Sequence, residues 1–198
     1  MPHPPTKHLE IFHQQILLPD SSVFSVQWID LPSSVSLRAA PPFLLEHYFK
    51  VVRRATFGMI TPVADADGVR FRVSGPGLSL LSFAPPRFET IENAHAVHLY
   101  ISGGFLVQPG ECDSGMFSLA TAPAGDGIRV TVRLSDYCPL LLGSRTPSRL
   151  RKLLYGWTQS YLHKVVTVRY LASLYHELTG VKPRVRVTRV QVRQGTDI

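Results

Sequence analysis

Eight histidines in a chain of 198 residues are the first side chains to weigh as metal ligands or acid–base groups. His95 and His98 stand three apart in a stretch that reads as a strand, where they point to opposite faces and cannot chelate one ion. His163 and His176 lie on a predicted helix several turns apart, too far to share a metal. There is no HExxH and no cysteine–histidine cluster, so no metal and no other cofactor is expected. Asp113-Ser114-Gly115 offers a hydroxyl, but no positioned base accompanies it, and a turn of small residues accounts for the triplet. Cys112 lies between Glu111 and Asp113, whose charges disfavour the thiolate. Neither GxGxxG nor GxxxxGK[ST] occurs, which argues against nucleotide-dependent chemistry. In an enzyme, the titratable groups to consider would be His98, His163 and Asp136. None has a partner visible in the sequence, so the catalytic residues are undetermined.

Binding chemistry is more legible. Arg145, Arg149, Arg151 and Lys152 cluster where a long helix begins, at the positive end of its dipole, where cations cost about 0.3–1 kcal/mol each. With the free backbone N–H groups of that turn, Arg145, Arg149 and Lys152 could hold a phosphate or carboxylate. A solvated basic face is the alternative. Lys182, Arg184, Arg186, Arg189 and Arg193 form a second basic run on a strand-like segment. They either discourage edge-to-edge pairing or face an anionic partner such as nucleic acid. No aromatic residues interleave with them to stack bases. Trp157, Tyr161, Tyr170 and Tyr175 make an aromatic stripe at helical spacing, which is core packing or the wall of a half-polar cavity.

The element that must position most of these residues is the segment 146–180. Thr146 can cap it, Pro147 suits the first helical position, and Gly180 followed by Pro183 ends it. Leu150, Leu154, Trp157, Tyr161, Val168, Leu171, Tyr175 and Leu178 recur at steps of three, four or seven along one face. At about 1.5 Å per residue such a helix runs roughly 50 Å. Ahead of it the chain reads as strands. Residues 23–29 nearly alternate, Pro41-Pro42 opens a short helix reaching Val52, and Asp65-Ala66-Asp67-Gly68 and Pro123-Ala124-Gly125-Asp126-Gly127 are hairpin turns. Residues 1–15 read as a flexible, proline-rich lead and 16–198 as a single α+β domain. After the helix, Val185 and Val187 share a face that Val190 and Val192 leave, which predicts a bulge near Thr188.

Charged residues are 18% of the chain, hydrophobic ones 44%, and the net charge is +7. Few charges beside an ordinary apolar content point to a large core, an apolar cavity or a buried partner surface. The positive balance attracts phosphates, nucleic acid or anionic lipid without selecting among them. Two cysteines outside any CxxC, no apolar leader and no run long enough to span a bilayer lead to the expectation of a cytoplasmic protein with reduced thiols.

The order strand, short helix, antiparallel strands, long C-terminal helix resembles the helix-grip arrangement of the START and Bet v 1-like superfamily. The hairpin pair 115–120 and 127–134, the strand exit Tyr137-Cys138-Pro139 and the helix 147–179 carry the resemblance. It implies a curved antiparallel sheet packed around one long C-terminal helix, here with an extra terminal strand. It further implies a cavity between sheet and helix for a hydrophobic or amphipathic small molecule or lipid. The residues expected to line that cavity are Tyr100, Phe105, Trp157, Tyr161 and Val168, with an acidic head group held near Arg145, Arg149 and Lys152. The alternatives are a nucleic-acid or anionic-partner binding protein using the basic surfaces, and a cyclase-like or hydrolase-like enzyme in the same cavity.

Overall fold

The structure, a computed structural model, describes residues 8–75, 77–108, 115–140 and 161–198. Cys112, Asp113, Ser114, Arg145, Arg149, Arg151, Lys152, Trp157 and the first part of the segment expected as a long helix lie outside these residues. In chain order the elements are β1 (His8–Leu17), β2 (Val23–Pro32), a 3-10 turn (Ser33–Arg38), α1 (Pro41–Ala55), β3 (Ile60–Asp65) and β4 (Gly68–Val73). There follow β5 (Ser79–Phe83), β6 (Arg87–Ile91), β7 (Ala94–Gly103), β8 (Met116–Ala124), β9 (Gly127–Tyr137), α2 (Tyr161–Thr179), β10 (Arg184–Arg189) and β11 (Thr196–Asp197).

The strands make one curved, mostly antiparallel sheet in the order β10-β1-β2-β9-β8-β7-β5-β4-β3, with β11 also against β1 and β6 also against β7. Both helices pack on one face of it, α2 against β1 and β2, α1 against α2 and against β3, β7 and β8. This is the helix-grip-like architecture expected from the order of elements, with the basic strand β10 added at an edge. The β8–β9 turn is Gly125-Asp126, since Ala124 pairs with Gly127. A side chain at Gly127 would meet the Leu31 carbonyl oxygen at 2.0 Å, so the approach of β2 to β9 at that turn requires glycine.

Alternation divides the sheet residues cleanly. On β2, Val23, Ile29 and Leu31 face the helices and join Val130, Val132, Leu119 and Leu99 in the main core. Phe24 and Val26 face the other way and form a small second cluster with Ile16 and Leu18. On that outer face Phe12 stacks on Trp28 at a centroid distance of 5.3 Å. The helix pair is closed by Tyr170, fully buried, whose hydroxyl donates to the Leu44 carbonyl at 3.3 Å. Arg38 caps the other end of α2, its guanidinium donating to the carbonyls of Leu178 and Glu177 at 3.0 and 3.2 Å. A cation there complements the helix dipole.

Two sequence expectations are corrected. The lead expected to be flexible over 1–15 holds β1 from His8 onward, pairing with β2 on one side and with β10 and β11 on the other. A strand with two neighbours satisfies its backbone groups whatever its composition. Nor does β10 carry a bulge. Its parallel register with β1 runs unbroken from Arg184 to Arg189, and the chain then leaves the sheet to return as β11. The intervening turn is held by Gln14, whose side-chain amide donates to the Arg193 carbonyl at 2.6 Å and accepts from the Val192 and Arg193 N–H groups at 2.8 and 2.9 Å.

Candidate ligand cavity

Tyr48, Val52 and Thr56 recur every four residues, which places them on one stripe of α1 and its C-terminal cap. That stripe forms one wall of a cavity of about 130 Å³. Ile60, Phe71, Leu80 and Leu81 from β3 to β5 make the floor, Leu134 and Tyr137 from β9 the far side, and Leu162, His163 and Val166 from the first turns of α2 the roof. α2 packs on β1 and β2 while α1 lies over β3, β7 and β8, and the cavity lies between the two helices and the end of β9. An apolar cavity of about 150 Å³ stays dry and accepts a benzene ring, so this one is of a size to take an aromatic ring or a short alkyl chain. A wider depression of about 560 Å³ near the start of β1 is more open and carries His8, Glu10, Asp30 and Asp126.

Few polar groups reach the cavity, and their states follow from burial. The Tyr137 hydroxyl donates to the Leu106 carbonyl at 2.9 Å, pinning the segment after β7 to the end of β9. Burial pushes the Tyr48 hydroxyl far up, so it stays protonated. His163 is pushed down to about 4, first by burial and then by the neighbouring His13. It is a neutral imidazole at pH 7, able to donate one hydrogen bond and accept another. Further along the α1–α2 seam, the His47 Nε2 and Ser173 Oγ atoms lie 3.1 Å apart.

Several residues expected to line the site do not. Tyr100 points from the outer face of β7, with the Arg87 guanidinium 5.1 Å over its ring. Phe105 is 56% exposed, whereas its neighbour Leu106 is the residue that enters the wall. Val168 is half-buried against the main core and is not part of the lining. Tyr161 opens α2, and Trp157, Arg145, Arg149 and Lys152 lie outside the described residues. Of the three titratable candidates, His163 alone is in the lining. His98 pairs on the outer face with Glu89, Nε2 to Oε2 3.0 Å, and Asp136 has left-handed backbone, φ 52°, beside Tyr137. No lining residue was among the five expected to line the cavity; those missed come from α1, from β3, β4, β5 and β9, from Leu106 and from the first turns of α2. The 48/52/56 spacing was the signal available for the first; Phe71 had none.

Among the described residues no three histidine, cysteine or acidic side chains gather as a metal site. No described helix is long and apolar enough to cross a membrane, which says nothing of spans made by strands.

No family model matches the chain, and no curated protein sequence does. Solved structures with a similar trace include the Aha1 dimer from Colwellia psychrerythraea, at 12% identity over 77% of this chain and 93% of that one, TM-score 0.40. CalU16 from Micromonospora echinospora is similar at 13% identity over 86% of this chain and 77% of that one, TM-score 0.32. Ara h 8.0201 is similar at 12% identity over 74% and 97%, TM-score 0.30. Likeness at this level assigns no ligand and no activity, and the fold rests on this chain's own strand order and helix placement.

Proposed function

We propose that the protein binds a hydrophobic or amphipathic small molecule or lipid, the apolar part of which enters the cavity between α1, α2 and the β9 end of the sheet. The observation that carries this reading is the cavity itself, walled by aliphatic and aromatic side chains of both helices and four strands. An apolar space of this kind is costly to leave empty, because its lining forgoes the dispersion contacts a filled core would make. The order of elements shared with the START and Bet v 1-like arrangement supports the same class of ligand.

A competition titration with a neutral solvatochromic dye tests the reading. Dye fluorescence should rise on binding and fall when a short-chain alcohol or alkylbenzene is added, and Val52→Trp, which fills the cavity from the α1 wall, should abolish both effects. Unchanged dye binding in Val52→Trp would place the dye elsewhere and refute the assignment. A second reading, an anionic macromolecular partner, draws on the exposed Arg184 and Arg186 of β10. It predicts binding that weakens steeply with salt, which an apolar cavity does not.

A further inference from the structure

Next to the cavity, the inner face of β1 and β2 breaks the apolar pattern of the core. His13 stands directly opposite Gln27 and Gln15 opposite Ser25 in the antiparallel register, so all four side chains share one face. That face is the one that carries Ile11, Leu17, Val23 and Ile29 into the main core, with α2 laid across it. His13, Gln15, Ser25 and Gln27 are 3%, 2%, 1% and 0% exposed, and Thr167 of α2 is 0% exposed. Yet among the described residues His13 Nε2, both amide atoms of Gln15 and of Gln27, Ser25 Oγ and Thr167 Oγ1 have no hydrogen-bond partner. Each such group forfeits its hydration without a replacement when buried unpaired, and native interiors hold only a few of them per hundred residues. Here they are concentrated on two cross-strand pairs and one helix position.

The five patch residues stand behind the cavity lining rather than in it, and α2 links the two. His163 lines the cavity and interacts electrostatically with His13, while Thr167 lies one turn along the same helix face. The side chains of the patch are carboxamides, hydroxyls and imidazoles, with no fully charged member. Within the patch a bare charge would have no contacting counter-charge, since Lys164 and Arg189 act on His13 only through their field, and a buried charge without a contacting partner is strongly unfavourable; a neutral group with several donors and acceptors would be matched.

We propose that the His13–Gln15–Ser25–Gln27–Thr167 patch is the seat for an uncharged, multiply hydrogen-bonding end of the ligand, such as a carboxamide, carbonyl or polyhydroxyl group, whose apolar body occupies the adjoining cavity. The inference rests on the cavity reading and specifies the ligand class for the same site. It separates the site into a wall that takes apolar bulk without direction and a patch that reads polar atoms by geometry. Ligands with the same apolar body should then be sorted by their neutral polar end.

Three probes with one phenylalkyl body test this by nuclear magnetic resonance titration of the full chain: butylbenzene, phenylbutanamide and phenylbutanoate. Phenylbutanamide should bind about tenfold or more tighter than butylbenzene, the gain expected from one or two recovered hydrogen bonds. It should shift the side-chain amide signals of Gln15 and Gln27, and phenylbutanoate should bind more weakly than the amide. Gln27→Leu and Gln15→Leu should each remove the amide's advantage while leaving butylbenzene unaffected. Ser25→Ala and Thr167→Val are milder changes that report the same effect should a leucine variant fail to fold. Butylbenzene binding with no preference for the amide, or a preference that survives all four substitutions, would overturn the inference and leave a patch satisfied by water. Binding of none of the probes would overturn the cavity reading beneath it.

Discussion

Acid should loosen this protein well before its carboxylates titrate. His13 is pushed from 6.5 to about 4, by burial first and then by the positive charge of Lys164, with Arg189 adding to the shift and Asp197 opposing it. His163 moves to about 4 for the same principal reason and because His13 faces it, and His47 is lowered by burial as well. The unfolded chain binds these protons near the ordinary value of 6.5, while the folded chain resists them until about 4. Stability is therefore fully present above that ordinary value, falls as pH drops through the interval, and levels off below the folded value. For His13 alone, moving from about pH 7.5 to about pH 5 costs about 2 kcal/mol. His163 adds a loss of the same sign. Urea unfolding followed by circular dichroism at the two pH values measures the loss directly. His13→Gln, neutral throughout, should show a fall smaller by about 2 kcal/mol than the unsubstituted chain. A stability that stays level from about pH 7.5 to about pH 5, or an identical fall in His13→Gln, would refute the claim that these imidazoles are buried in neutral form.

Three further outcomes follow from particular contacts. Gln14→Ala removes three hydrogen bonds to the turn between β10 and β11. It should cost about 1–3 kcal/mol and speed amide exchange at Val192 and Arg193 selectively. Gly68→Ala puts a Cβ at φ +135° and 2.1 Å from the Phe83 carbonyl oxygen, so it should destabilise by about 1–3 kcal/mol or more in thermal unfolding. Leu171→Ala, at a position with 0% exposure, should cost about 2–5 kcal/mol by the cavity it leaves between α2 and the sheet.

Much of the fold can be read from local pattern, and the parts that cannot are those set by distant pairing. The Asp65–Gly68 and Gly125-Asp126 turns, the Pro41-Pro42 helix start and the Gly180 stop announce themselves through residues with strong backbone preferences. β1 does not. Its inner face carries His13 and Gln15 where a strand of the core would be expected to show apolar residues, and the prolines before it suggest a loose lead. Only the far end of the chain, returning as β10 and β11, completes its hydrogen bonds. The long helix was legible as a helix but not in its orientation. Val168 and Tyr175 suggested one face, yet α2 is enclosed by the sheet on one side and by α1 on another, as Tyr170 packed against Tyr48 at 5.2 Å shows. A helix buried on two sides offers no single stripe to read, so His163 and Val166, which reach the cavity, could not be chosen over Val168. The polar patch was hidden for a related reason, since glutamines and a serine on strands ordinarily signal the solvent face.

Native mass spectrometry of the full chain, purified without detergent and then exposed to a panel of alkylbenzenes, alcohols and fatty amides, tests the central claim most directly. The account predicts a one-to-one adduct, carried from expression or acquired from the panel, that is lost in Val52→Trp while the folded charge distribution is kept. An apo mass throughout, or adducts that persist in the filled variant, would contradict a ligand cavity between α1, α2 and the sheet.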